Sequence, residues 1–392
     1  MRKRLQLVVL GIVGRMPFAG VAWQALQYLE GFRRLGHDVY YIEDTWDWPF
    51  DPERNCITND NRYTLKYLAR LMDWCGMRDR WAYRAVEEHE RICGLSESQF
   101  KRAFEQADAV INVTGATELH EEHLDVPVRV YVETDPVLPQ IKVAQGDRLW
   151  LGLLSAHTHH FSYGENLGAP SCGVPLGPFR YQPTRQPIVL DWWSNEAHPA
   201  EGGNGCRFTT VANWQQSGKD VEWNGEIYNW SKHHEFLKFV DLPRRAAQPL
   251  ELALSNVSAE CIGLLRSYGW RVVDSIALSK DMLSYRDYIL GSQGEFTVAK
   301  DQNIRLRSGW FSDRSACYLA AGLPVITQDT GFGRVLHTGE GLFAFSTMEE
   351  ILAAFDAIHS DYKRHRRAAR AIAEEYFRAE KVLAKVLRGL GL

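Results

Sequence analysis

The chain has 392 residues, 45% of them hydrophobic and 24% charged, which argues against a disordered or collagen-like polymer and suits two domains or one large one. Lys plus Arg is 45 against 49 for Asp plus Glu, a net charge of −4 that disfavours a dedicated nucleic-acid binder. Seven cysteines, with no C-x-x-C pair, give no zinc ribbon or thioredoxin-like site, and scattered single thiols fit a reducing compartment.

The basic start before LQLVVLGIVG resembles the opening of a signal peptide, but Arg15 ends the apolar run early. The segment is read instead as a buried parallel strand over residues 5–10. No run approaches the roughly 20 apolar residues of a membrane span. Gly11, Gly14 and Gly20 punctuate the turn that follows. Ala22, Ala25, Leu26, Leu29 and Phe32 then recur at helical spacing over 21–35, and VYYI forms a second strand ending at Glu43-Asp44. Strand, glycine turn, helix and strand open a doubly wound sheet. Residues 61–107 read as helices, the last begun by a capping box of Ser96 and Gln99. ADAVINVTG and PVRVYVETDP are strands, and RLWLGLLSAH reads as a further one. Residues 155–187, rich in Gly, Pro and Tyr, read as a linker. RFTTVANW, PLELALS, WRVVDS, GEFTVAK, LPVITQD and GLFAFS then alternate with helical segments, a second α/β unit with its own sheet. Residues 348–390 are almost entirely helical.

Ligands of such sheets bind beyond the carboxyl ends of the strands. The first such turn, GIVGRMPFAG, lacks the G-x-G-x-x-G fingerprint. Its glycines permit close backbone approach and the next helix start favours an anion, which makes Gly14 a candidate ligand; by itself such a turn commonly holds nothing. The densest constellation is residues 294–333. Lys300, Arg305, Arg307 and Arg314 cluster near one strand end and one helix start, where Ser312 and Asp313 are suitable N-caps. Thr330-Gly331-Phe332-Gly333 at the next strand end forms a turn able to wrap phosphate oxygens. In the HTHH run, His157 and His159 fall on one strand face and His160 on the other, which favours a cleft-lining or strand-end role over a metal site. Trp214 is a ring-stacking surface or a core residue, and Lys219, close to it in sequence, is a candidate to reach a phosphate. The final basic helix, with its stripe of Ile372, Tyr376, Ala379, Leu383 and Leu387, reads as a docked helix with a solvated face; attraction to anionic lipid is its second reading.

DRSACYLAAGLPVITQDTGFG resembles the nucleotide-binding segment of GT-B fold glycosyltransferases. GVAWQALQYLEGFRRLGHDVYYIE resembles their first helix and second strand, and YVETDPVLPQ, HHFSYGENLG and PSCGVPLG resemble a family-1-like or spore-maturation-type bacterial branch. The resemblance implies an α/β chain of two Rossmann-like domains facing across a cleft: residues 1–180 for the acceptor, 188–361 for a nucleotide-diphosphate sugar, and 362–392 as a helix crossing back. It implies a cytoplasmic, hexosyltransferase-type enzyme. Beyond the sugar nucleotide as co-substrate, no metal and no cofactor is expected. The partners implied are a small molecule, lipid or glycan acceptor, no nucleic acid, and a weak peripheral membrane contact through the basic helix. Lys300, Arg305, Ser312, Asp313, Arg314, Gly14 and residues 330–333 would bind the donor. The retaining branch carries paired Glu in an E-x7-E spacing; here those positions are Gly309 and Cys317. An inverting course is therefore expected, with Asp135 or Glu133 as base and His157 as a further catalytic candidate; Asp135, before Pro136, equally suits a turn. A nucleotide-sugar epimerase or phosphorylase of the same fold, or a degenerate binding scaffold, are the alternatives.

Overall fold

A computed structural model of the chain describes residues 3–86, 91–194 and 207–392. Among these residues two large sheets form. The first has eight strands, ordered Tyr181–Pro183, His159–Ser162, Arg129–Glu133, Ala109–Val113, Gln6–Leu10, Asp38–Glu43, Trp81–Arg84 and Ile92–Gly94. All neighbours are parallel except the last pair. The second has six parallel strands, ordered Arg271–Asp274, Leu250–Ser255, Phe208–Asn213, Gly294–Thr297, Val325–Gln328 and Leu342–Phe345. In each sheet the earliest strand is central and the order reverses beside it, which opens a crevice at the carboxyl ends. The central strands read as continuous apolar runs because helices cover both faces, and Leu7, Val8 and Leu10 are fully buried.

Several elements differ from the sequence reading. RLWLGLLSAH is not a strand but the helix Arg148–Ser155, because Asp147 caps it by accepting from the Leu149 and Trp150 amides at 3.0 and 3.3 Å. Trp81–Arg84 is a strand within the stretch read as helical; four residues are too few to display a period. The segment read as a linker contains the strands His159–Ser162 and Tyr181–Pro183, so the first sheet extends to residue 183. Each of these short strands has only a few residues between turn formers.

The C-terminal run is Tyr362–Ile372, a π-helical turn Ala373–Phe377, and Ala379–Leu390. At the π turn the chain returns to the first domain beside the outgoing crossing. Ile188 N–H donates to the Phe377 carbonyl at 2.7 Å, and Ala379 N–H to the Ile188 carbonyl at 2.9 Å. The helix Ala379–Leu390 then packs on Ala19–Arg34. Ile372, Ala379, Leu383 and Leu387 are buried and Tyr376 half-buried, so the apolar stripe is a docking face. The approach is close at Gly31, where a Cβ would lie 2.5 Å from Leu383 Cδ1 and 3.0 Å from Ala379 Cβ. Glycine inside a helix costs about 1 kcal/mol of propensity, which the crossing requires here. Gly31→Val is accordingly expected to destabilise the fold by about 1–3 kcal/mol through overpacking, measured by denaturant unfolding.

Candidate active site

The reversal point of the second sheet is held open by Arg314, on the helix Asp313–Ala320. Its Nε donates to Glu295 Oε1 at 2.5 Å, Nη1 to the Val211 carbonyl at 2.5 Å and Nη2 to Thr297 Oγ1 at 2.9 Å. Three of the five guanidinium N–H groups are thus engaged and two remain. Just beyond the strand Gly294–Thr297, the Lys300 ammonium sits 3.2 Å from the centroid of the Trp230 ring. It also pairs with Asp135 Oδ2, which belongs to the first domain. Lys219 approaches the same ring at 4.8 Å, and Lys232 lies 5.4 Å from the ring of Trp310. Lys232 has no carboxylate within ion-pair distance among the described residues. Burial, then the neighbouring Arg314 and Lys300 charges, push its amine down to about 7. Burial likewise pushes Lys300 down to about 8 despite the Asp135 carboxylate. Paired cations, with Lys219 and Lys232 outside any ion pair among the described residues, in a crevice between aromatic walls form a site suited to an anion.

The facing wall comes from the strand Arg129–Glu133. Trp310 Nε1 donates across the cleft to the Thr134 carbonyl at 2.9 Å. Asp135 follows, with Oδ1 buried and without a hydrogen-bond partner. Val137 adopts φ +99°, a strained conformation for a β-branched residue. Glu133 anchors that turn and does not face the cleft. Gln140 Nε2 donates to both of its oxygens at 2.7 and 2.8 Å, Ser162 Oγ donates at 2.7 Å, and Gln140 Oε1 accepts the Val137 N–H at 2.7 Å. Burial pushes the Glu133 carboxyl up to about 7. Expected as an alternative base, it is instead a buried strut: the strand ends at Glu133, and the turn that follows carries Asp135 to the cleft.

Other expected residues fall elsewhere. His157 precedes its strand, and its ring bonds the Leu153 carbonyl at 2.8 Å and Asn112 Nδ2 at 3.1 Å inside the first domain. The HTHH residues do not converge: His159 bonds Thr158 Oγ1, and His160 bonds the Leu154 carbonyl. No group of three or more metal-ligating side chains occurs among the described residues. The glycine turn does cradle an anion, but an internal one. Gly14 and Arg15 amides donate to the two oxygens of Glu43 at 2.6 and 2.5 Å, and Tyr41 Oη adds a third bond at 2.9 Å. Arg305 is tied to Glu226, the Ile227 carbonyl and Asp301, over the ring of Tyr228. Ser312 occupies the N-cap position without a side-chain cap bond. Asp313 accepts from Gln24 of the first domain at 3.2 Å, and burial pushes it up to about 7. The 330–333 turn is also a domain contact. Thr330 Oγ1 donates to the Trp310 carbonyl at 2.6 Å, Gly331 N–H to Asp329 Oδ1 at 2.7 Å, and Asn166 Nδ2 to the Gly331 carbonyl at 2.9 Å, while Phe332 packs on Phe311. Gly333 continues it as a short 3-10 turn. Trp214 is core, stacked on Phe236.

No family model and no curated protein matches the sequence. Solved structures do match in fold. Anabaena HepE in complex with UDP-glucose aligns with a TM-score of 0.57 over 99% of this chain and 100% of that one, at 10% identity. AviGT4, a glycosyltransferase involved in avilamycin A biosynthesis, aligns at 0.56 over 98% and 96%, also at 10% identity. An alpha-glucosyltransferase in complex with UDP-glucose and DNA containing an abasic site aligns at 0.55 over 99% of both chains, at 10% identity. The chain has the GT-B fold. In this GT-B frame the two departures from E-x7-E have physical reasons. Gly309, at φ +77°, abuts Asn166 so closely that a Cβ would lie 2.7 Å from its Cγ, and Cys317 is buried in the core.

Lys232, Trp230 and Trp310 are the GT-B cleft residues that sequence reading did not select. One signal was present: Lys232 opens a helix, where the macrodipole disfavours a cation. A residue placed against its local preference is commonly there for a ligand.

Proposed function

We propose that the chain transfers a sugar from a nucleotide diphosphate to an acceptor hydroxyl. The observation carrying this reading is the gathering of Lys232, Lys300 and Arg314 at the reversal point of the second sheet, facing the Asp135 carboxylate of the first. HepE and the alpha-glucosyltransferase, which share the fold, hold UDP-glucose. The diphosphate lies against Lys232, Lys300 and the two remaining Arg314 N–H groups, which stabilise the charge that develops as the bond from the anomeric carbon to phosphate oxygen breaks. That electron pair leaves with the diphosphate. The acceptor oxygen bonds the anomeric carbon from the opposite face, and its proton passes to Asp135, giving inversion. None of these steps uses a metal ligand from this chain.

Calorimetric titration with UDP, GDP and dTDP tests the reading. Lys232→Ala is expected to weaken the best binder by about 1.5–3 kcal/mol, the worth of a hydrogen bond to a charged group. Affinity is also expected to fall as pH rises from 7 to 9. Free Lys232 and Lys300 lose protons near 7 and 8, and the bound diphosphate restores them. For each proton taken up on binding, affinity falls by up to about tenfold per unit rise in pH. Failure of all three nucleotides to bind would remove the donor site.

A further inference from the structure

The Lys300 ammonium has two claimants. In the structure it holds Asp135 Oδ2 across the cleft while resting on the Trp230 ring. In the glycosyl transfer read above it must also meet the diphosphate. An ammonium bonded to a carboxylate oxygen occupies that oxygen, so it is not open to an acceptor hydroxyl. The other Asp135 oxygen, Oδ1, is buried and has no partner, so Lys300 is the chief hold on this carboxylate.

The two partners differ in freedom. Asp135 stands on a turn fixed from behind: Gln140 ties the Val137 amide to the Glu133 carboxylate, with Val137 at φ +99°. Lys300 is a long flexible side chain on the opposite domain. Its ammonium keeps the Trp230 face beneath it whichever anion it serves. Lys232, without a carboxylate of its own, draws an incoming diphosphate to the same place. Movement therefore falls to Lys300.

We propose that Lys300 masks Asp135 while the donor site is empty and passes to the diphosphate when the donor binds, releasing the carboxylate to take the acceptor's proton. Lys300 is then a positioning residue for the base as well as a ligand of the donor, and the donor binds before the acceptor is activated. The inference rests on the glycosyl-transfer reading of this cleft.

A double-mutant cycle on the full chain, read by calorimetric titration with UDP, tests the exchange. Asp135→Asn frees Lys300 and is expected to tighten UDP binding by about 5–20-fold, within the range of couplings between contacting residues. Lys300→Met is expected to weaken it by about 10–100-fold. In the Lys300→Met background, Asp135→Asn is expected to change affinity by no more than about twofold. Lys300→Gln takes the same place in the cycle if Lys300→Met does not fold. Tightening by Asp135→Asn that persists undiminished without Lys300 would mean simple repulsion between carboxylate and phosphate, and would overturn the exchange. Unchanged or weaker binding in Asp135→Asn alone would overturn it too, leaving the ion pair as a domain contact while the donor site stands. Wild-type protein that binds none of UDP, GDP and dTDP removes the underlying reading and the exchange with it.

Discussion

Asp135→Asn is expected to lower turnover by about 10²–10⁴-fold, the ordinary consequence of losing a general base. The amide has the carboxylate's shape, and the turn beneath it is held by Glu133, Gln140 and Ser162, so the substitution removes basicity and leaves the scaffold in place. Nucleoside diphosphate still binds in this variant, which separates loss of chemistry from loss of the donor site. Glu133→Gln behaves differently. Its carboxyl is buried among donors, and the change disturbs the strained turn at Val137, so its effect appears in stability before chemistry. The measurement is nucleoside diphosphate released at steady state, with the anomeric configuration of the product read by NMR. Full activity in Asp135→Asn, or a product that keeps the donor's configuration, would exclude Asp135 as the base of an inverting displacement.

Arg314→Ala is expected to cost about 3–5 kcal/mol of folding stability, the usual effect of leaving a buried charge without its partner. Glu295 is fully buried, and its Oε1 bonds Arg314 Nε at 2.5 Å. The strands Phe208–Asn213 and Gly294–Thr297 pair only through Phe208 with Gly294 and Thr209 with Glu295. Beyond that register they diverge, and the guanidinium bridges the gap through the Val211 carbonyl and Thr297. Arg314→Lys does not rescue, because one ammonium lacks the planar fork that meets three acceptors. Denaturant unfolding checks this, and nucleotide binding is lost along with the stability. A variant as stable as the wild type would show that the site does not rest on this residue.

Sequence alone revealed most of the fold because long buried strands and amphipathic helices carry their period openly. The strand Gln6–Leu10, the helix Ala19–Arg34 and the capping box at Ser96 all lie where pattern and capping chemistry point. Short elements were hidden. Arg148–Ser155 has the apolar content of a strand, and only the Asp147 cap distinguishes it. The site was legible as a region and less so as a set of residues. Arg314, Lys300 and Asp135 do converge, but Arg305 and the 330–333 turn are taken up by partners distant in sequence. The anion cradle at Gly14 was sound chemistry, yet its occupant is Glu43, 29 residues away, which no local motif announces. Lys232, despite its place at a helix start, was not selected because it is far from Lys300 in sequence.

The contacts joining the two domains are of two unlike kinds. Around Trp23 and the helix Ala19–Arg34, an apolar cluster runs without a break into Met282, Tyr285 and Cys317, and Trp23 Nε1 bonds the Met282 carbonyl at 2.9 Å. At the candidate site polar links, Asp135 to Lys300, Trp310 to Thr134 and Asn166 to Gly331, sit beside a smaller apolar cluster in which Val137, Ile141 and Val174 of the first domain meet Val221, Tyr228 and Leu306 of the second. Water replaces such polar links at small net cost, whereas exposing apolar area is penalised throughout. Apolar contact thus holds the halves together at the site as well as at the larger cluster, and both covalent crossings, Ile188 and Arg378, run side by side. Opening the cleft would expose the smaller apolar cluster to water, so the passage of substrates and products works against a hydrophobic penalty that returns the halves to the shut form.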